Sequence, residues 1–139
     1  MSLPYAEATA GERALMELQK VLAKFGCTSF GTMTDTERKV QITAFKWRGR
    51  SVQIEASWDG YAKALYKSSS RRSQQACYDQ ARISVCSVLR DWVKGQTTAI
   101  ECGVMSFEEA WLPHMLTNNG QRVADRIKTM PALLEGPTT

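Results

Sequence analysis

The chain has 139 residues, 43% of them hydrophobic and 23% charged, with a formal net charge of +4. That is an ordinary globular composition, and the length suits one domain over residues 1–130 with a flexible tail over 131–139. No apolar run approaches the roughly 18 residues of a membrane span, and the start, Met1-Ser2-Leu3-Pro4-Tyr5, lacks the basic-then-apolar layout of a signal peptide, so the expected location is the cytoplasm.

The first periodic segment is 11–25, where Leu15, Leu18, Leu22 and Phe25 recur at the spacing of one helical face until Gly26 stops the pattern. The period then changes to alternation. A first strand is expected over 27–33, turn chemistry in Thr34-Asp35-Thr36-Glu37, and stronger strands over 38–46 and 51–58.

Two registers are open to the second hairpin. A two-residue Arg48-Gly49 turn pairs Phe45 with Val52 and Thr43 with Ile54, mixing apolar and polar partners. A three-residue Trp47-Arg48-Gly49 loop pairs Ala44 with Val52, Ile42 with Ile54 and Val40 with Ala56. The apolar matching favours the three-residue loop, which turns Gln41, Thr43 and Phe45 outward and projects Trp47 beyond the sheet.

A short helix follows over 59–67, then a polar, basic linker, Ser68-Ser69-Ser70-Arg71-Arg72-Ser73. The longest helix is expected from Ser73 to Lys94 or on to Cys102, with Ala81, Val85, Val88, Leu89, Trp92 and Val93 as its apolar face and Gly103 as its stop. Ser106-Phe107-Glu108-Glu109 has the spacing of a capping box, and Pro113 should bend or end the helix it opens. A last short helix spans 122–130. The fold class is therefore α+β, a three-stranded antiparallel sheet packed against helices, with a helical C-terminal half.

Charge is uneven along this order. Residues 1–37 carry a net −2, residues 38–72 a net +7 and residues 73–139 a net −1. Arg38, Lys39, Lys46, Arg48 and Arg50 lie on or beside the hairpin, Lys63 and Lys67 on the helix after it, and Arg71 and Arg72 in the linker, with Phe45 and Trp47 interleaved. Cations that neutralise phosphates next to rings that stack on bases are the usual ingredients of nucleic-acid surfaces. Of the four tryptophans, Trp58 and Trp92 read as core, Trp111 as core or partner anchor, and Trp47 as the contact residue.

The pattern offers little for catalysis. His114 stands in the apolar stretch Trp111-Leu112-Pro113-His114-Met115 with no G-x-S-x-G or H-E-x-x-H around it, Glu109 is used by the capping box, and the glycines stand singly. Cys27, Cys77, Cys86 and Cys102 form no C-x-x-C pair and read as small buried hydrophobes with free thiols. A non-catalytic protein without metal or cofactor is expected.

The segments Phe25-Gly26-Cys27-Thr28-Ser29-Phe30-Gly31, Phe45-Lys46-Trp47-Arg48-Gly49-Arg50, Arg90-Asp91-Trp92-Val93-Lys94-Gly95-Gln96 and Met105-Ser106-Phe107-Glu108-Glu109-Ala110 resemble small phage- and prophage-encoded proteins of proteobacteria. The resemblance implies an accessory role in a bacterial host cell, in DNA metabolism or in interference with a host system. The order helix, three strands, long helix is also similar to double-stranded RNA-binding domains, although the lysine cluster of that family's second helix is missing and 59–70 is an insertion. Two functions are consistent with these readings: a nucleic-acid-binding accessory protein that takes DNA or RNA on the basic hairpin and linker, and an interaction module that uses the same surface to inhibit a host protein complex. The exposed edges of a three-stranded sheet also allow a homodimer.

Overall fold

A computed structural model describes residues 3–68 and 71–137. Helix α1 (Gly11–Phe25) ends where Gly26 adopts the left-handed conformation. Strands β1 (Ser29–Asp35), β2 (Val40–Trp47) and β3 (Arg50–Ser57) form an antiparallel sheet in the order β1-β2-β3. Helices α2 (Trp58–Ser68) and α3 (Gln74–Glu101) follow, the second capped by Ser73, whose side chain accepts from the Ala76 amide. The chain closes with α4 (Phe107–Trp111), a 3-10 turn over Leu112–His114 and α5 (Val123–Lys128). The α+β architecture matches the sequence reading.

The capping box is present: Ser106 accepts from the Glu109 amide while the Glu109 carboxylate accepts from the Ser106 amide. Pro113 sits in the 3-10 turn and ends α4, as expected of a residue that cannot donate to the helix. The segment read as a tail contains a further 3-10 turn, Pro131–Leu134. The linker serines Ser69 and Ser70 lie outside the described residues.

The hairpin register is the one the sequence reading rejected. Phe45 pairs with Val52, Thr43 with Ile54 and Trp47 with Arg50, closed by a two-residue turn in which Arg48 (φ 48°) and Gly49 (φ 79°) are both left-handed. That is the turn whose twist suits two adjoining strands. Gln41, Thr43 and Phe45 therefore face the helices rather than solvent, and all three are buried. Apolar matching misled because β2 is covered on both sides: Val40 and Ile42, on the opposite face, are buried as well.

One core runs from the sheet into the helices. Leu18 and Leu22 of α1, Phe45, Val52 and Ile54 of the sheet, Trp58 and Leu65 of α2, Val85, Leu89 and Val93 of α3, and Trp111 belong to it. The expected apolar face of α3 needs one correction: Val88 and Trp92 are each 37% exposed, and the small residues Cys77, Ser84, Cys86 and Ser87 are buried instead. The N-terminal segment is tied across the helices, with Ser84 donating to the Tyr5 carbonyl (2.7 Å), Gln80 to that of Ala8 (2.8 Å) and Tyr61 to that of Pro4 (2.6 Å).

Candidate nucleic-acid interface

The basic segment is continuous in sequence and divided in space. Arg38 and Lys39 sit in the turn before β2, while Arg48 and Arg50 sit at its other end, about 25 Å away along a strand of eight residues. The ten residues singled out in the sequence therefore do not form one surface.

Trp47 is the largest departure from expectation. It lies within β2 rather than in a projecting loop, and its ring stacks on Phe107 (centroids 4.5 Å, planes 12° apart) and on Phe25 (5.4 Å, 25°). The Arg48 guanidinium lies 4.4 Å from the same ring's centroid. Trp47 thus joins α1, the hairpin and α4, and its faces are occupied by protein. Phe25 and Phe107 are the residues that sequence reasoning missed here. Their positions, one before the Gly26 stop and one after the Ser106 cap, place both at helix ends that can meet a hairpin tip.

Four of the nine cations are held by acidic partners. Arg38 binds Glu55 (2.5 Å), Lys63 binds Asp59 (2.9 Å), Arg72 binds Glu7 (2.8 Å) while also donating to the Ala6 carbonyl, and Arg50 binds Glu108. Partial burial pushes the Glu55 carboxyl up, but hydrogen bonds from Arg38 and Gln53 and the charge of Arg122 outweigh it and hold this group below the usual carboxylate range. Asp59 is held low by the Tyr78 hydroxyl (2.5 Å) and by Lys63. Lys39, with a left-handed φ of 55°, places its ammonium 4.8 Å from the Tyr78 ring centroid, so Lys39, Tyr78, Asp59 and Lys63 form one polar cluster at the base of α3.

Lys39, Lys46, Arg48, Lys67 and Arg71 make no salt bridge among the described residues. Lys46 and Arg48 share the hairpin end with Lys24, in the last turn of α1, which Gly26 brings against the Trp47 indole. A Cβ on Gly26 would lie 3.9 Å from Trp47 Nε1. The linker pair is split: Arg72 is taken by Glu7 and Ala6, and Arg71 is exposed.

Clefts lie elsewhere. One of about 680 Å³ opens between the start of α1, the Thr34 and Gln41 side of the sheet and α3, with Arg13 and Arg82 in its wall. Another of about 510 Å³ brings Lys39 beside Trp58, Tyr78 and Arg82. Among the described residues no group of three or more His, Cys, Asp or Glu side chains could hold a metal ion. Cys77 and Cys86 are buried and Cys102 is exposed; burial pushes the half-buried Cys27 thiol up to about 11. Among the described residues no helix is long and apolar enough to cross a membrane. The chain matches no protein-family model, no curated protein and no solved structure.

Proposed function

We propose that this protein is a non-catalytic, phage-type accessory protein that binds nucleic acid through the hairpin end of the sheet. The observation that carries the reading is the group Lys24, Lys46 and Arg48: three cations at one end of the fold with no acidic partner among the described residues. Arg48 adds a second argument. A left-handed arginine costs roughly 1 kcal/mol where asparagine or glycine fits without strain, and strain of this kind is retained where the side chain is used. Because Trp47 is covered by Phe107, Phe25 and Arg48, the contacts are to phosphates rather than to stacked bases, and binding is indifferent to sequence.

The test is fluorescence anisotropy with single- and double-stranded DNA and RNA across a salt series. Three phosphate contacts correspond to a log–log salt slope near −2.7 on duplex DNA, at roughly −0.9 per phosphate. Arg48→Glu and Lys46→Glu should abolish binding, and no binding of any of the four nucleic acids at low salt sinks the proposal.

A second reading, an interaction module that inhibits a host complex, draws on the exposed apolar side chains Val104, Met105 and Leu112 around α4, whose Glu108 holds Arg50. This reading requires no affinity for free nucleic acid, so the same titration separates the two.

A further inference from the structure

The sheet has two edges, and they are treated differently. The β3 edge is covered where the C-terminal half crosses it: Met115 bridges to Val52 and the Leu116 amide donates to the Ser51 carbonyl (2.9 Å). The remainder of that edge carries Glu55, a charge that opposes strand addition. Among the described residues the β1 edge has no strand beside it. From Ser29 to Thr34 this strand contains no charge, no proline and no lysine, so it lacks the usual protection against pairing with another chain.

The hydrogen-bond phase tells which groups it offers. The Trp58 amide donates to the Lys39 carbonyl, which sets Gln41, Thr43, Phe45 and Trp47 to exchange backbone bonds with β3. Val40, Ile42, Ala44 and Lys46 then turn toward β1, where their partners Asp35, Met33, Gly31 and Ser29 turn back to meet them. Phe30, Thr32 and Thr34 are left presenting their N–H and C=O groups outward.

We infer that β1 pairs antiparallel with β1 of a second copy of this chain about a two-fold axis at Thr32. Thr32 is the midpoint of the strand, so this register uses every residue and pairs Phe30 with the partner's Thr34, Gly31 with the partner's Met33, and Ser29 with the partner's Asp35. Side chains fit as well as backbones. Met33 is 58% exposed, and a Cβ on Gly31 would meet no atom within 4 Å, so the thioether of one copy covers the bare glycine of the other.

The charges are complementary. Ser29 stands opposite Lys46 within one chain, so across the axis Asp35 lies on the same face as the partner's Lys46, two strand spacings or about 10 Å away, a gap the two side chains span. Asp35 Oδ1 accepts from the Glu37 and Arg38 amides (3.1 and 3.0 Å), leaving Oδ2 for that ammonium in the protein without nucleic acid, where no phosphate competes for Lys46. The arrangement is isologous and consumes both free edges, so assembly closes at two copies.

Sedimentation equilibrium of the full chain, without nucleic acid, tests this. Twice the chain mass is expected in the wild type. Met33→Lys, a change at an exposed side chain, should halve it with an unchanged circular dichroism spectrum. Thr32→Pro should do the same, since it removes an outward amide and no bond to β2. A wild type at single-chain mass up to millimolar concentration overturns the inference, and so does a dimer that survives Met33→Lys. If Thr32→Pro does not fold, Met33→Lys alone decides.

Discussion

The Trp47 indole lies flat on the Phe107 ring, 4.5 Å between centroids and 12° from parallel, although the two residues are 60 positions apart in the chain. This contact holds the hairpin end against α4, and Phe25 extends it to α1. Trp47→Ala should therefore lower stability by about 2–3 kcal/mol, somewhat less than a fully buried tryptophan. In a urea-unfolding double-mutant cycle, Trp47→Ala and Phe107→Ala should show a coupling of about 0.5–1.5 kcal/mol. Independent effects would mean that the stack contributes only through area.

Arg48 and its turn separate stability from function. Arg48→Asn places at φ 48° a residue that tolerates the left-handed region, and should raise the unfolding free energy by about 0.5–1 kcal/mol. It removes the cation and should weaken nucleic-acid binding. Gly49→Ala, at φ 79°, should destabilise by about 1 kcal/mol or more. A stabilised Arg48→Asn protein that binds as well as the wild type would show that Arg48 is not a contact.

The same turn explains which parts of the fold were legible. Helix α1, the capping box at Ser106 and the order of three strands follow from periodicity and local chemistry, which act within a few residues. The register did not follow, because Gln41 and Thr43 are polar residues on the buried face and Val40 and Ile42 are apolar residues on the other, so alternation across β2 carries no sign. Turn chemistry decided what pairing could not. The basic segment was legible as composition, but the carboxylates that neutralise part of it come from β3, α2, α4 and the N-terminal segment. Only Lys63–Asp59, four residues apart on α2, falls within a spacing rule; the other three pairs are tertiary.

Glu55 gives a prediction in acid. Its side chain is 14% exposed and shares Arg38 and Arg122, the latter 3.8 Å away and only 11% exposed. Its folded pKa lies below the unfolded value, so its stabilising contribution is complete above the ordinary carboxylate range and is lost as pH falls through the folded value. Glu55→Gln should flatten the acid limb of a stability–pH profile below pH about 4.5 and cost about 1–3 kcal/mol at neutral pH, because among the described residues Arg122 keeps only Asp125 as an acidic partner. An unchanged acid limb would remove Glu55 from the account.

Thr43 gives the converse case. Its hydroxyl is fully buried in the sheet with no hydrogen-bond partner among the described residues, so it carries a desolvation cost and returns nothing. Thr43→Val keeps the shape and the β-branched side chain of a strand residue. It should stabilise the protein by about 1 kcal/mol in urea unfolding.

His114 carries a pH dependence near neutrality. Its ring stands edge-on to Trp92 at 5.1 Å, its Nδ1 is buried without a partner among the described residues, and burial, with the Arg122 charge, holds its pKa below the usual 6.5. The unfolded chain therefore takes up a proton before the folded one does. Stability is full above pH about 6.5 and falls as pH drops from there toward the folded value, below which the loss is constant. The urea midpoint of the wild type should decline across this window, whereas His114→Gln, which has no titrating ring, should show no decline until the carboxylates protonate. An identical decline in both proteins would place the titrating group elsewhere, and a wild-type midpoint that holds level from pH about 7 down to about 5 would show that His114 protonates as readily folded as unfolded.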